Sequence, residues 1–337
     1  MVSVIIPVYN GAEFLEKCLR SVMQQTYQDI EIIVIDDGSK DNSYEICERL
    51  VKEDKRIRLF RQENAGVSAA RNKGMSVAKG DYITFVDADD VLLSRGIETL
   101  LEAAGNDADL IIGSHEEFRG KHTRKVVWEK REYTYDSEKE KISEFDKLVI
   151  FPWGKLYKHA IITNNSLLFD PSLAFGEDHA FNFLYCKCAG KIKTCSEIVY
   201  QYRMGGMASS VKYYANKNQM ALALLKAYGL FFDGLKNIPL NILKKIVRGG
   251  FLGSVEHYLT HCDFRTAIKK VNETLALFSP YLCENTVDGE MYSLKLTRSI
   301  LQGDAKGVAL QVYKENWIRI LLRKAKKLYY KVFTKRI

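Results

Sequence analysis

The amino-acid sequence predicts an α/β fold in which a mostly parallel sheet is followed by a helical extension. Short β-branched runs alternate with helix-length segments up to residue 112. Connections of that length join parallel strands through right-handed crossovers. Beyond residue 212, apolar residues recur every three to four positions without a strong strand pattern. We therefore expect an α/β domain over residues 1–212 and a helical domain over residues 213–337.

Four βα units account for the first hundred residues. Their strands are rich in Val and Ile, as expected for strands that are buried on both faces. The predicted strands are Val2–Pro7, Glu31–Ile35, Ile57–Phe60, Tyr82–Val86 and Asp109–Ile112. The predicted helices are Ala12–Gln25, Asn42–Lys52, Val67–Ala78 and Ser94–Ala104. Downstream, the pattern predicts an irregular hairpin within Ser114–Tyr135, a helix over Glu177–Cys188 and an extended segment over Lys191–Tyr202.

The composition is that of a globular protein without a disulfide framework. The chain has 337 residues, 47% of them hydrophobic, and only five prolines, which suits one large domain or two ordinary ones. Its seven cysteines are odd in number and scattered, which favours the reducing cytoplasm. Cys186, Cys188 and Cys195 do not have zinc-site spacing, so we interpret them as small buried residues. The longest apolar stretch, Ala221–Phe232, is too short to span a bilayer.

Acidic turns follow the second and fourth predicted strands, at Asp36–Ser39 and Asp87–Asp90. Parallel strands bring their carboxyl ends to one edge of a sheet, where α/β proteins bind ligands. Two carboxylates one residue apart, such as Asp87 and Asp89, can face one hard divalent cation whose coordination is completed by substrate phosphates. A surface turn is the alternative, but the apolar strand before it argues against that interpretation. The pattern indicates an enzyme that handles a metal-bound nucleotide.

Other βα loops carry candidate ligand-binding residues. The first loop, Pro7–Gly11, lacks the glycines of a dinucleotide fingerprint and the lysine of a P-loop. Its Tyr9 either stacks on a base or packs over the sheet. In the second loop, the carboxylate of Asp37 could accept the imide N–H of uracil, while residues 41–43 suit turn and helix-cap chemistry. Arg71 lies one turn inside a predicted helix, where it either meets phosphate oxygens or pairs with the aspartates.

In their order and chemistry, these motifs resemble those of the family 2 glycosyltransferases, over roughly residues 1–211. The resemblance is carried by Val4–Asn10, Val34–Ser39, Gly66–Asn72, Phe85–Asp90, Trp153–Tyr157 and Glu177–Asp178. The chain is similar throughout to the non-processive bacterial enzymes that build capsule, lipopolysaccharide or teichoic-acid glycans. It has no Gln-x-x-Arg-Trp segment, which argues against a processive enzyme of the cellulose-synthase type.

The resemblance implies a GT-A fold, the Rossmann-like mixed sheet of nucleotide-diphospho-sugar transferases, and a role for each matching residue. The residues implied to bind the nucleotide-sugar donor, expected to be a UDP-sugar, are Pro7, Tyr9, Asp36, Asp37, Arg71, Asp87 and Ala88. Asp87 and Asp89 are implied to bind Mn²⁺ or Mg²⁺, with Asp89 the expected direct ligand. The implied general base is Asp178. The residues implied to lie on the acceptor side are Trp153, Lys155 and Glu177.

The function implied is inverting, metal-dependent transfer of a sugar from a nucleotide-sugar to a glycan or lipid-linked acceptor in surface polysaccharide synthesis. Two alternatives share part of the pattern. A sugar nucleotidyltransferase would need a Gly-rich, Arg-containing loop after the first strand, which Pro7–Gly11 does not resemble. A catalytically inactive relative that acts as a scaffold in a polysaccharide assembly complex is the other, and the intact acidic set argues against it without excluding it.

The net charge of the chain lies at its carboxyl terminus. Residues 316–337 contain eight Lys or Arg and no acid, so they hold the entire excess of 50 bases over 42 acids. Together with an apolar stripe in the same segment, these bases predict a basic amphipathic helix that binds an anionic membrane surface. A helix docked on the protein with a solvated basic face is the alternative. We expect a cytoplasmic protein, peripheral on the inner face of the plasma membrane, without a nucleic-acid partner. The stripe consists of Trp317, Leu321, Ala325, Leu328 and Val332.

Overall fold

The computed structural model contains two compact units. The first comprises residues 1–211 together with 230–233, and the second comprises 212–229 and 234–337. The first division lies next to the domain boundary expected at residue 212. The predicted amphipathic helix at 316–337 lies outside the residues that the structure describes. Those residues are 1–105, 107–120, 122–135, 142–173, 176–205, 217–232, 237–247, 250–251, 253–278, 300, 302–312 and 314.

The first unit contains one mixed sheet of ten strands. The strands are β1 (Val2–Val8), β2 (Ile30–Asp36), β3 (Ile57–Arg61), β4 (Tyr82–Phe85), β5 (Val91–Leu92), β6 (Leu110–Arg119), β7 (His122–Val126), β8 (Glu132–Tyr133), β9 (Lys155–Lys158) and β10 (Ile192–Arg203). The helices between them are α1 (Ala12–Met23), α2 (Ser43–Glu53), α3 (Val67–Val77), α4 (Gly96–Ala104), α5 (Ile142–Val149), α6 (His159–Asn164) and α7 (Glu177–Cys188).

The sheet is parallel over its first four strands and mixed beyond them. Its order is β3-β2-β1-β4-β9-β6-β10-β5, with β7 paired to β6 and β8 to β10. Strand β9 runs antiparallel to both β4 and β6, and β5 runs antiparallel to β10. The sequence pattern missed β9 and β5, which have four and two residues. It also ended β6 too early. The parallel arrangement expected from the βα units holds for β1 to β4, and the antiparallel pairs beyond them confirm the mixed sheet that the GT-A resemblance implied.

Helices cover both faces of the parallel strands. Successive side chains of a strand point to opposite faces. Val4 and Ile6 of β1 pack in one core cluster with Leu15 of α1, whereas Ile5 contacts α3 at Gly74. Strands β1 and β2 are buried along their whole length. That burial explains why both strands read as continuous apolar runs in the sequence.

The named secondary-structure elements in the described residues of the second unit are helices. Helix α8 (Lys217–Phe231) leads into it, and α9 (Leu240–Val247), α10 (Gly253–His261) and α11 (Phe264–Phe278) follow. Helix α11 buries residues at helical spacing, including Val271 and Phe278, as expected for an amphipathic helix. In the described part of the chain, no helix combines the length and apolarity needed to cross a membrane.

Candidate active site

Hydrogen bonds hold the loops after β1 and β2 together at the carboxyl edge of the sheet. The N–H of Asn10 donates to Ser39 Oγ (3.0 Å), and the N–H of Lys40 donates to Asn10 Oδ1 (2.7 Å). The N–H of Ala12, in the first turn of α1, donates to Asp41 Oδ2 (3.0 Å). Asp41 therefore caps the helix that precedes it in the chain, which the sequence pattern did not predict. These bonds hold the two loops in a fixed position relative to each other.

Asp37 ties the second loop to the loop before α3. Its Oδ1 accepts hydrogen bonds from the N–H of Ala65 (2.9 Å) and from Gln62 Nε2 (2.9 Å), and its Oδ2 accepts one from the N–H of Gly66 (2.8 Å). The residue is 3% exposed. A carboxylate offers about four acceptor positions. Asp37 therefore retains capacity for one further donor, as the predicted contact with a uracil imide would require.

The residues on either side of Asp37 are constrained by their surroundings. Gly38 has a left-handed conformation (φ 73°), and a Cβ there would lie 2.9 Å from the backbone nitrogen of Asn64. Only glycine fits that turn. Asp36 is fully buried, and its Oδ2 lies 3.1 Å from Arg61 Nε, outside hydrogen-bonding geometry. This ion pair holds the carboxyl end of β2.

The first loop has Pro7 in the sheet and Tyr9 at the surface. Pro7 is buried within β1 and pairs with Ile35 of β2. Tyr9 is 47% exposed, so its ring is only half covered by protein. This exposure leaves room for a planar ligand, and stacking on the base of a bound nucleotide stays a prediction.

Alternate residues of the turn after β4 face solvent and core. Asp87 and Asp89 are partly exposed, whereas Ala88 and Asp90 are buried. The methyl group of Ala88 packs in the core cluster, so its predicted ligand contact would have to use the main chain. The exposed pair has the one-residue spacing that suits a divalent cation.

Arg71 joins this acidic turn to the start of α7. Its guanidinium donates to Asp87 Oδ1 (2.9 Å) and to Asp178 Oδ1 (2.6 Å), and Glu177 Oε1 lies 3.8 Å away. Arg71 is 3% exposed and lies over the ring of Phe169 at 5.2 Å. The structure thus contains the ion pair that was one of the two interpretations of Arg71, while a phosphate contact stays a prediction. Acids more than ninety residues apart in sequence meet around one buried cation.

The surroundings of Asp178 strongly shift the pKa of its carboxyl group. It lies with Glu177 in the first turn of α7, where the helix dipole favours carboxylates. The side chain is 22% exposed. Burial raises the pKa of Asp178 to about 8, Arg71 opposes that shift, and Glu177 and Asp87 add to it. A carboxylate whose pKa lies near neutrality is a better proton acceptor than an ordinary aspartate.

Trp153 and Lys155 are buried, although the resemblance implied acceptor-side roles for them. Trp153 stacks on Phe151 and on Tyr200, with ring centroids 4.6 Å apart in each pair. Lys155 Nζ donates to the carbonyl oxygen of Phe151 (2.6 Å), and burial lowers the pKa of Lys155 to about 7. Direct contact with an acceptor would require both side chains to become accessible. Their acceptor-side roles, and that of Glu177, stay predictions.

Tyr200, to which the sequence assigned no role, bonds to the acidic turn at two of its residues. The N–H of Asp87 donates to the hydroxyl of Tyr200 (3.0 Å), and that hydroxyl donates to Asp90 Oδ2 (2.9 Å). Asp90 was visible as the last acid of its motif. Tyr200 had no signal, because it follows Asp87 by 113 residues and belongs to an unremarkable strand pattern.

The acidic turn suits a divalent cation that is coordinated partly by the protein and partly by a substrate. Asp87 and Asp89 offer the hard oxygen atoms that Mn²⁺ and Mg²⁺ prefer. Within the described ranges, no group of three or more His, Cys, Asp or Glu converges as a complete ligand set. Completion of the coordination by oxygen atoms of a donor diphosphate stays a prediction.

Comparisons with known proteins identify the family. The family model described as "Glycosyl transferase family 2" matches residues 3–163. The chain is 37% identical over 212 residues to EpsJ of Bacillus subtilis, named as a glycosyltransferase, covering 60% of this chain and 61% of EpsJ. It is 35% identical over 240 residues to EpsH of the same organism, also named as a glycosyltransferase, covering 69% of each. The chain thus spans less than two thirds of EpsJ.

A solved structure identifies the fold. The crystal structure of residues 1–349 of S. aureus TarS, in complex with UDP, superimposes with a TM-score of 0.65 at 18% sequence identity. The match covers 94% of this chain and 91% of that one. At this identity the likeness concerns the fold alone, and it agrees with the central mixed sheet described above. The chain belongs to glycosyl transferase family 2 and has the GT-A fold that its motifs imply.

Proposed function

We propose that this protein transfers a sugar from a nucleotide-diphosphate sugar to a glycan or lipid-linked acceptor in surface polysaccharide synthesis. The observation that carries the proposal is the contact of Arg71 with both Asp87 and Asp178. One buried side chain thereby brings the candidate metal-binding turn and the candidate base to a single site. Family membership and the names of the relatives support the same activity.

The donor proposed is a UDP-sugar. The remaining acceptor capacity of Asp37 suits the imide N–H of uracil, and the exposed ring of Tyr9 suits stacking on the base. Tyr9 follows β1, which lies next to β4, and Asp37 follows β2, one strand farther from β4, so the base would lie on this side of the acidic turn. The UDP bound in the structural relative TarS supports this choice.

The reaction proposed is a single displacement with inversion. Asp178 takes the proton of the acceptor hydroxyl, whose oxygen forms a bond to the anomeric carbon of the sugar. The bond from that carbon to the diphosphate oxygen breaks, and its electron pair leaves with the nucleoside diphosphate. Mn²⁺ or Mg²⁺, bound by Asp87 and Asp89 with the diphosphate, would stabilise the negative charge of this leaving group. General-base help of this kind contributes about 10²–10⁴-fold.

A nucleotide-sugar panel tests donor, base and metal together. Each compound is scored by its thermal stabilisation of the protein with Mn²⁺, with Mg²⁺ and with EDTA, because a ligand that binds the folded state raises the melting temperature. We expect UDP-sugars to stabilise the protein more than other nucleotide-sugars, and more with metal than with EDTA. Equal stabilisation by all bases contradicts the proposed role of Asp37.

The scaffold alternative is tested with the same reagents. An enzyme should slowly hydrolyse its donor in the absence of an acceptor, and this hydrolysis should need the metal. A scaffold protein would bind the nucleotide-sugar without releasing the nucleoside diphosphate. Metal-dependent release of UDP from one UDP-sugar, followed over hours, would therefore establish the enzyme.

A further inference from the structure

The main chain of the acidic turn is held by the end of β10. The Tyr200 hydroxyl accepts the N–H of Asp87 and donates to Asp90 Oδ2. The N–H of Arg203 donates to Asp90 Oδ1 (2.7 Å), and Arg203 Nε donates to the carbonyl oxygen of Asp89 (3.0 Å). We call these two residues of β10, Tyr200 and Arg203, the β10 anchor. It contacts three of the four residues of the turn.

The β10 anchor is itself rigidly supported. The ring of Tyr200 is fully buried and stacks on Trp153 with an interplanar angle of 4°. The guanidinium of Arg203 lies 4.0 Å from the ring centroid of Phe14 and 4.7 Å from that of Phe118. Stacked rings and cation–π contacts of this kind restrict the rotamers of the groups involved.

The backbone of β10 is irregular just before Tyr200, which is paired with both β6 and β5. Its pairing with β6 shifts register between Ile198 and Tyr200. Bulges of this kind re-aim a side chain and are common beside active sites. Without the shift, the strict alternation of a strand would govern the direction in which Tyr200 points.

The β10 anchor contacts Asp87 and Asp89 through their main-chain atoms. Asp90 differs, because both of its oxygen atoms accept hydrogen bonds and the residue is 1% exposed. The Asp90 carboxylate is therefore used in hydrogen bonds within the protein and is not placed to contact a ligand. The residues of the turn therefore differ in role. The side chain of Asp90 holds the turn against β10, whereas the anchor holds Asp87 and Asp89 by their main chains.

We propose that Tyr200, Arg203 and Asp90 are positioning residues that hold Asp87 and Asp89 in the geometry needed for metal-dependent binding of the donor diphosphate. This inference rests on the proposed function. Trp153 has a role within it as the surface on which Tyr200 stacks. The hydroxyl of Tyr200 is the centre of the arrangement, since it bonds to two residues of the turn.

The test compares Tyr200→Phe with the wild-type protein by calorimetric titration with UDP, once with Mn²⁺ and once with EDTA. Phenylalanine keeps the ring stacked on Trp153 but leaves the N–H of Asp87 without its acceptor. We expect UDP affinity to fall about tenfold with Mn²⁺, the size typical for a buried amide that loses its partner, and to stay unchanged with EDTA. A loss of equal size in both conditions contradicts the inference, because it would report a general folding defect.

Tyr185→Phe is the matched control. Tyr185 is also fully buried, and its hydroxyl donates to the carbonyl oxygen of Asp109 (2.6 Å), just before β6 begins and away from the acidic turn. The control should lose stability without changing the metal-dependent affinity. In a second pair, Asp90→Asn keeps an acceptor for Arg203 and should retain more metal-dependent affinity than Asp90→Ala. Equal losses in this pair overturn the hydrogen-bonding role of Asp90.

Hydrogen exchange separates a failure of this inference from a failure of the proposed function. If the wild-type protein binds UDP equally with Mn²⁺ and EDTA, the metal-dependent donor proposal fails. The anchor is then tested in the ligand-free protein, where Tyr200→Phe should speed exchange of the Asp87 amide and Tyr185→Phe should not. Unchanged protection of that amide in Tyr200→Phe overturns the anchor whatever the donor proves to be.

Discussion

Arg71 has an unusual electrostatic position, because a buried cation here contacts acids from two distant parts of the chain. Its forked guanidinium can bond to Asp87 and Asp178 at the same time. A lysine carries the same charge at a single point and cannot reproduce that geometry. Removing one partner from a buried ion pair is costly because it leaves uncompensated charge. Arg71 therefore links the stability of the fold to the relative positions of the acidic turn and the candidate base.

We predict that Arg71→Lys lowers kcat/KM about 100-fold, the loss typical when reacting groups are misplaced by about 1 Å, and destabilises the protein by about 1–3 kcal/mol. Steady-state transfer assays and denaturant unfolding measure the two effects. Arg49→Lys is the control, because the ion pair of Arg49 with Glu16 is exposed and should contribute little. Near-normal activity of Arg71→Lys would contradict the bridging role.

The pH dependence of the reaction should report Asp178. Below its pKa the carboxyl group is protonated and cannot take the proton of an acceptor, so kcat/KM should rise with pH and level off once Asp178 is ionised. Burial raises this pKa to about 8, far above the ordinary value of about 4. The profile of kcat/KM reflects the free enzyme, which is the state described. An acid limb centred near pH 4 would contradict the perturbed environment of Asp178.

At the scale of elements, helix α3 depends on close packing against β1. A Cβ at Gly74 would lie 2.4 Å from Ile5 Cγ2, closer than two carbon atoms can approach. The helix must stay at this distance for Arg71, one turn earlier, to reach Asp178. The close approach explains why a helix whose interior would otherwise favour alanine has glycine at this position.

We predict that Gly74→Ala destabilises the protein by about 1–3 kcal/mol through overpacking and reduces activity by displacing Arg71. Lys73→Ala, an exposed change on the same helix, is the control and should alter stability by less than about 0.5 kcal/mol. Equilibrium unfolding and transfer assays are compared for both variants. Gly74→Ala with wild-type stability would mean that α3 can move away from β1 freely.

The sequence predicted the βα units well and the second half of the sheet poorly, for physical reasons. Strands buried on both faces, such as β1 and β2, read directly as apolar runs, and their carboxyl ends locate the acidic turns. Strand β5 has two residues, and β9 reaches its place between β4 and β6 only through tertiary pairing. Neither strand has a hydrophobic pattern by which it could be recognised from the local sequence.

The same distinction holds within the site. Asp37, Asp87, Asp89 and Asp178 could be proposed as site residues from the sequence because each belongs to a short motif that carries the family resemblance. The role of Tyr200 could not, since its contact with Asp87 joins distant segments and depends on a register shift in β10. The sequence left open whether Arg71 contacts phosphate or pairs with the aspartates, and only the structure revealed the ion pairs.

At the scale of the whole molecule, the basic carboxyl-terminal segment at 316–337 stays a sequence-based proposal. We predict that its deletion moves the protein from the membrane fraction to the supernatant of a cell lysate. Each base near an anionic surface contributes about 1 kcal/mol, so changing the four bases at positions 323, 324, 326 and 327 to Gln should also weaken binding to anionic vesicles more than tenfold. Unchanged fractionation of the truncated protein would contradict membrane attachment.

We propose that one site both binds the donor and deprotonates the acceptor, with Asp178 as the base. The most direct test measures UDP affinity and sugar transfer in Asp178→Asn, after the panel has identified the donor. Asparagine keeps the shape of the side chain but cannot take up a proton at neutral pH. The account predicts UDP affinity within about threefold of wild type and transfer reduced by about 10²–10⁴-fold. Loss of UDP binding, or transfer at the wild-type rate, would contradict it.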